Sequence, residues 1–170
     1  METIKSYKNY PIRIVILSNL VSLAIYVLGF LIIFRLGFVF SLLFLLYILF
    51  FEYRLIKKRC TNYYYWGKIC GFGKGKISSW FFKKGDISKF CIKRITWKDM
   101  IPDMLLSLIP IVIGIVLLIL KFDCILLVEL LLLIILITIG NSYIRGQLTC
   151  KYCKQKELGC PADLLFNKNK

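Results

Sequence analysis

The sequence predicts an all-α membrane protein with four transmembrane helices arranged as two hairpins, and a basic, aromatic cytoplasmic loop that contains a short amphipathic helix. Three observations predict it. The 170 residues are 59% hydrophobic, against 45–50% for soluble domains, and the mean hydropathy is +0.74. The apolar residues gather into four stretches near the roughly 20 residues needed to cross a ~30 Å hydrocarbon core. The charge is heavily unbalanced, with 24 Lys and Arg against 9 Asp and Glu. Disorder is excluded by the apolar content, and a soluble fold of this size cannot bury four such helices completely.

The first span covers Ile12 to Phe34, with Lys5 and Lys8 before it and Arg13 at its start. This resembles the start of a signal peptide, but no small-residue cleavage site precedes the next span, so it reads as a retained signal anchor. The second span covers Leu36 to Tyr53, the third Ile101 to Leu120 and the fourth Cys124 to Tyr143. The joins Arg35-Leu36-Gly37 and Lys121-Phe122-Asp123 are so short that each pair must fold back as a hairpin. The chain thus divides into a first hairpin unit (1–53), a loop (54–99), a second hairpin (100–143) and a Cys-rich tail (144–170). Both joins together hold two basic residues, Arg35 and Lys121, and the other 22 of the 24 lie on one face. The positive-inside rule places that face, with both termini, in the cytoplasm, at the plasma membrane.

The loop from Arg54 to Asp99 holds thirteen Lys and Arg and two acids, Asp86 and Asp99, among ten aromatic residues that include Tyr63, Tyr64, Tyr65, Trp66, Trp80 and Trp97. Rings bury at the headgroup layer while Lys and Arg contact anionic lipid, each worth about 1 kcal/mol. Asp86 is placed to N-cap a helix with Ile87, Phe90, Cys91 and Ile95 on one face and Lys89, Lys93 and Arg94 off it. The same composition suits nucleic acid, but no RNA-binding motif accompanies it, so lipid is the expected partner, beside a protein partner or a second copy. The stretch Gly71 to Ser78 only superficially resembles a phosphate loop. Aligning Gly75-Lys76 with the Walker pattern puts Cys70 where a glycine is required, and Ile77 separates Lys76 from Ser78. It reads as a flexible basic turn.

The chain has no histidine, which excludes Ser-His and Cys-His nucleophiles, His-ligated haem and imidazole zinc sites. Six of the seven cysteines fall on the cytoplasmic side, where disulfides are disfavoured; Cys124 lies alone near the external surface. Cys60 and Cys150 follow their spans by about seven residues each. Cys60, Cys70, Cys150, Cys153 and Cys160 are therefore candidate ligands of one juxtamembrane zinc or iron–sulfur site, with nearby Lys and Arg lowering the thiol pKa values. Cys160-Pro161 resembles the last ligand of bacterial ferredoxin runs, but the spacing C-x2-C-x6-C-P departs from theirs. Packed or palmitoylated thiols and a redox dithiol at Cys150 and Cys153 are the alternatives.

Glu129 is the carboxylate singled out inside a span, snorkelling to the nearby external surface, pairing with Lys121, or serving transport. Asp103 faces headgroups or caps. Ser18 and Asn19 offer bonds between helices, and Pro110 and Gly114 a kink or a close contact. The functional expectation is a non-enzymatic scaffold or accessory subunit with a cytoplasmic cysteine cluster. A membrane redox protein and a small transporter using Glu129 stand beside it.

Overall fold

The structure is a computed structural model that describes residues 6–92 and 97–160, apart from the side chains of Lys89, Ile92 and residues 97–100. Ile95, Lys93 and Arg94 of the expected amphipathic helix lie outside the described residues, as do Lys5, Pro161, Lys168 and Lys170. The described residues form helices joined by turns and loops and contain no strand. Four helices are long and apolar enough to cross a membrane. In chain order the helices are α1 (Ile12–Phe34), α2 (Phe38–Lys58), α3 (Lys74–Phe81), α4 (Ile87–Ile92), α5 (Trp97–Leu120), α6 (Cys124–Ile135) and α7 (Lys154–Glu157). A 3₁₀ turn at Cys60–Asn62 follows α2, and α6 continues through π-wound segments at Leu136–Gly140 and Tyr143–Cys150.

Several boundaries differ from the sequence reading: α2 starts at Phe38 rather than Leu36, and α5 at Trp97 rather than Ile101. Helix α2 runs five residues past Tyr53, and the fourth spanning helix runs on to Cys150. Hydropathy marks where hydrocarbon ends, not where backbone hydrogen bonding ends, and a helix persists into polar surroundings when its side chains find partners.

The helices pack around two apolar clusters. Ile25, Ile32, Leu126, Leu130 and Leu133 join α1 to α6, while Ile33, Phe44, Ile48, Phe51 and Leu106 join α1, α2 and α5. Small residues set the approach. A Cβ on Gly114 would lie 3.0 Å from Leu130, and one on Gly29 would lie 3.2 Å from the Phe44 ring and 3.4 Å from buried Pro110. Close contact of this kind is what holds helices together where lipid removes the hydrophobic drive between them. At most 28% of any spanning stretch is buried within the protein, so most of its apolar surface faces outward, far more than water tolerates.

The turn at Arg35–Gly37 needs a glycine, because Gly37 has φ +131°, a region closed to side-chain-bearing residues. Arg35 then ties this turn to the other one. Its guanidinium bonds the carboxylate of Asp123 and, at 3.2 Å, that of Glu129. Glu129 thus pairs with Arg35 rather than with Lys121. Asp123 also accepts from the Ile125 amide as the N-cap of α6.

Candidate functional site

The other end of the bundle is closed by three segments distant in sequence. These are the stretch before α1, the loop after α2 and the tail after α6. Their polar backbone groups must be satisfied once buried, and they satisfy one another. The Tyr7 amide donates to the Tyr152 carbonyl and the Tyr10 amide to the Ile69 carbonyl, at 3.0 and 2.9 Å. Tyr65 is fully buried; its hydroxyl donates to the Tyr7 carbonyl at 2.6 Å and accepts from the Lys154 amide at 2.9 Å. Tyr10 donates to the Thr149 carbonyl. Gln155, also fully buried, accepts from the Tyr64 amide at 3.0 Å and donates to the Cys91 sulfur at 3.3 Å. The result is a cap in which Tyr7, Tyr10, Tyr63, Tyr64 and Tyr65 pack ring against ring.

The candidate cysteines sit at different places in this cap. Cys60 and Cys70 are buried, Cys150 is exposed, and Cys153 and Cys160 are half-buried. Cys70 accepts from the Gly75 amide at 3.4 Å, and the Cys153 sulfur lies 2.7 Å from the Tyr63 hydroxyl. Among the described residues, no three Cys, Asp or Glu side chains converge as a metal ion requires. The expected lowering of thiol pKa by basic neighbours does not hold at Cys153. Burial pushes this thiol up, only partly offset by the Tyr63 hydroxyl. Burial likewise raises Tyr65 to about 12 and takes Tyr63 well above the ordinary phenol range.

Asp86 caps α4 as expected, its carboxylate accepting from the Ser88 amide at 2.9 Å. The apolar stripe turned to the surroundings belongs instead to α3, where Ile77, Trp80 and Phe81 are all exposed and the last two by about 70%. Positions i, i+3 and i+4 share one helix face, so these three residues form one patch. Lys76, Lys83 and Lys84 are exposed beside it. The stretch read as a flexible turn is therefore partly helical, beginning after Gly73 at φ +71°.

The sequence reading passed over Glu52, which lies within the second span. Its carboxylate accepts from the Tyr26 hydroxyl at 2.6 Å and pairs with Lys74 of α3 at 2.6 Å. This bridge fastens the cap to α1 and α2. A carboxylate in an apolar run was the signal available, and a loop lysine to meet it was the unreadable half. Asp103 pairs with Arg59 at 3.6 Å. Ser18 bonds the Ile14 carbonyl of its own helix, whereas Asn19 bonds both Val15 and, across to the loop, the Phe72 carbonyl. No family model, curated protein or solved structure matches the chain.

Proposed function

We propose that the chain is a four-span integral membrane protein built from two helical hairpins, both termini cytoplasmic, at the plasma membrane. Its cap rests on the anionic inner leaflet as a non-enzymatic scaffold or accessory subunit. The observation that carries this reading is the exposed Ile77, Trp80 and Phe81 stripe rimmed by lysines. An exposed apolar face with cationic flanks suits the headgroup layer, where rings bury and ammonium groups meet phosphate. Lys68 over the Tyr64 ring at 4.1 Å and Lys151 over Tyr152 at 5.6 Å support a cap whose cations and rings are already organised.

In this reading the cap cysteines are packing and hydrogen-bonding groups. The support is the burial of Cys60 and Cys70 and the Cys153 contact with Tyr63. The scattered placement of the five candidate ligands favours this over a metal knot. Elemental analysis with thiol counting tests it, and stoichiometric zinc or iron would overturn it.

The sidedness has its own test, because Cys124 and Cys150 are both exposed and belong to opposite faces. In intact cells a membrane-impermeant maleimide is expected to label Cys124 in a Cys150→Ala variant. It should label Cys150 in a Cys124→Ala variant only after permeabilisation. Labelling of Cys150 in intact cells would overturn the topology.

A further inference from the structure

A cavity of about 460 Å³ lies between α1, α5 and the π-wound continuation of α6, within the range of pockets that take small ligands. It is graded along the bundle. Measured from the turn end at 1.5 Å per residue, Ile111 of α5 lies about 14 Å in and Asp103 about 26 Å in. On α6 the lining passes from Ile137 to Asn141 and Arg145. The apolar end is therefore deep and the polar end lies beside the cap.

Part of the polar lining is left without a partner among the described residues. Ser18, Ser22, Ser41, Thr138 and Thr149 each bond a carbonyl of their own helix. Among the described residues, the Ser107 and Asn141 side chains have no such partner, and both open on the cavity. Asn141 is half-buried, and its amide can donate to a ligand's oxygens. The charges at the mouth are also uneven. Asp103 is engaged by Arg59, and Glu52, which does not line the cavity but accepts from the lining Tyr26 hydroxyl, is engaged by Lys74. Arg145 has no carboxylate partner among the described residues; its guanidinium lies 6.0 Å from the Phe72 ring. Asn141 and Arg145 stand four residues apart on one face of the helix and both line the cavity, and π winding is frequent at functional sites.

We propose that this cavity binds one anionic phospholipid of the inner leaflet. The phosphate lies against Arg145 and Asn141, and an acyl chain runs between Ile25, Leu106, Ile111 and Ile137. Basic pockets between membrane helices on the cytoplasmic side recognise lipid headgroups by this chemistry. The proposal rests on the four-span reading and its sidedness, which the maleimide experiment tests separately.

The test is native mass spectrometry of the detergent-purified chain after incubation with phosphatidylglycerol, with phosphatidylcholine, or with inorganic phosphate alone. One phosphatidylglycerol per chain is expected to persist, and little phosphatidylcholine. Arg145→Gln, an exposed position, should lower retention at least tenfold, and Arg145→Lys should restore most of it. Ile111→Trp should abolish retention while Arg145 remains in place, with helicity checked by circular dichroism. Equal retention by Arg145→Gln and the parent would overturn the proposal, as would equal binding of phosphatidylcholine. Binding of inorganic phosphate with full retention by Ile111→Trp would also overturn it, reducing the site to a headgroup contact.

Discussion

Gly75 offers a substitution whose sign separates a built cap from a loose basic turn. It is the second residue of α3 and is buried. In a loosely held helix, alanine is better than glycine by about 1 kcal/mol, since it loses less backbone entropy. A Cβ at Gly75, however, would lie 2.2 Å from the Tyr65 carbonyl oxygen and 2.8 Å from that of Lys68. Both obstacles are backbone. Neither yields by a rotamer change, because the Lys68 amide bonds the Tyr65 carbonyl at 2.9 Å and the Gly67 amide bonds the Gly75 carbonyl at 3.0 Å. Overpacking of this kind costs about 1–3 kcal/mol, and a rigid backbone neighbour puts Gly75→Ala at the upper end. The propensity gain offsets about 1 of these, leaving a net loss of about 1–2 kcal/mol. At 2–4 °C per kcal/mol for a chain of this size, the apparent Tm in detergent should fall by roughly 2–8 °C. Gly146→Ala is the control. A Cβ there meets nothing within 4 Å, so the propensity gain stands alone and the Tm should hold or rise slightly. Equal stabilisation by both substitutions would refute the packed cap.

Other consequences follow from the same geometry. Gln155→Leu leaves the Tyr64 amide unpaired in a buried place, a loss of about 1–3 kcal/mol, and chemical denaturation in detergent should show it against a milder Lys156→Ala. Because the folded-state pKa of Tyr65 is raised from 10.0 to about 12, its contribution is complete below pH 10 and is lost as the pH rises towards 12. Absorbance titration at 295 nm should then show a delayed phenol fraction ionising together with loss of Tm, and ordinary ionisation of every tyrosine before any unfolding would contradict it. The Asp123 carboxyl is held below its ordinary value by the Ile125 amide and Arg35. Its contribution is therefore present above pH 4 and lost on acidification below it, a loss that Arg35→Met should blunt. Glu129→Gln removes an exposed-to-half-buried pair worth at most about 1 kcal/mol, so its Tm should barely move. In a variant keeping Trp80 as its sole tryptophan, lipids carrying a headgroup-level quencher should quench emission strongly, and unquenched emission would take α3 off the membrane surface.

The spans were legible because burial in hydrocarbon needs only a run of apolar side chains, whatever their partners. Ile12–Phe34 matches the reading residue for residue. The cap Asp86 was legible too, since an N-cap bond reaches only two residues along the chain. The rest depends on partners far apart in sequence. Tyr10 meets Thr149, Tyr63 meets Cys153, and Gln155 meets Tyr64 and Cys91. A tyrosine hydroxyl that bonds a distant carbonyl leaves no spacing pattern, because the carbonyl belongs to every residue alike. The cysteines drew attention by lying on one side, a pattern that buried packing produces as readily as metal binding. Glu52 was hidden by position, one residue from the end of its expected span, where a carboxylate reads as an interface residue. Its partner Lys74 lies 22 residues later.

The two ends of the bundle are held by different physics. On the proposed membrane reading the helices gain nothing by leaving lipid, so fit decides, and Gly29 and Gly114 let backbones approach where any Cβ would press on Phe44 or Leu130. The Arg35 contacts to Asp123 and Glu129 hold the turn end, partly screened by water. The cap lies where water competes for every bond, and it responds by burying Tyr65 and Gln155 completely and giving each two partners. The Glu52–Lys74 pair, with both side chains largely shielded, couples one regime to the other, beside the Asn19 bond to the Phe72 carbonyl and the Arg59–Asp103 pair. Removing one member of such a pair leaves the other charge buried alone, a larger loss than the pair is worth intact. Lys74→Met should therefore loosen the cap from the bundle without unfolding either. Proteolysis of the loop should then rise while the helical content of the spans stays unchanged. Joint collapse of cap and spans in that variant would show that the two regimes are not separable.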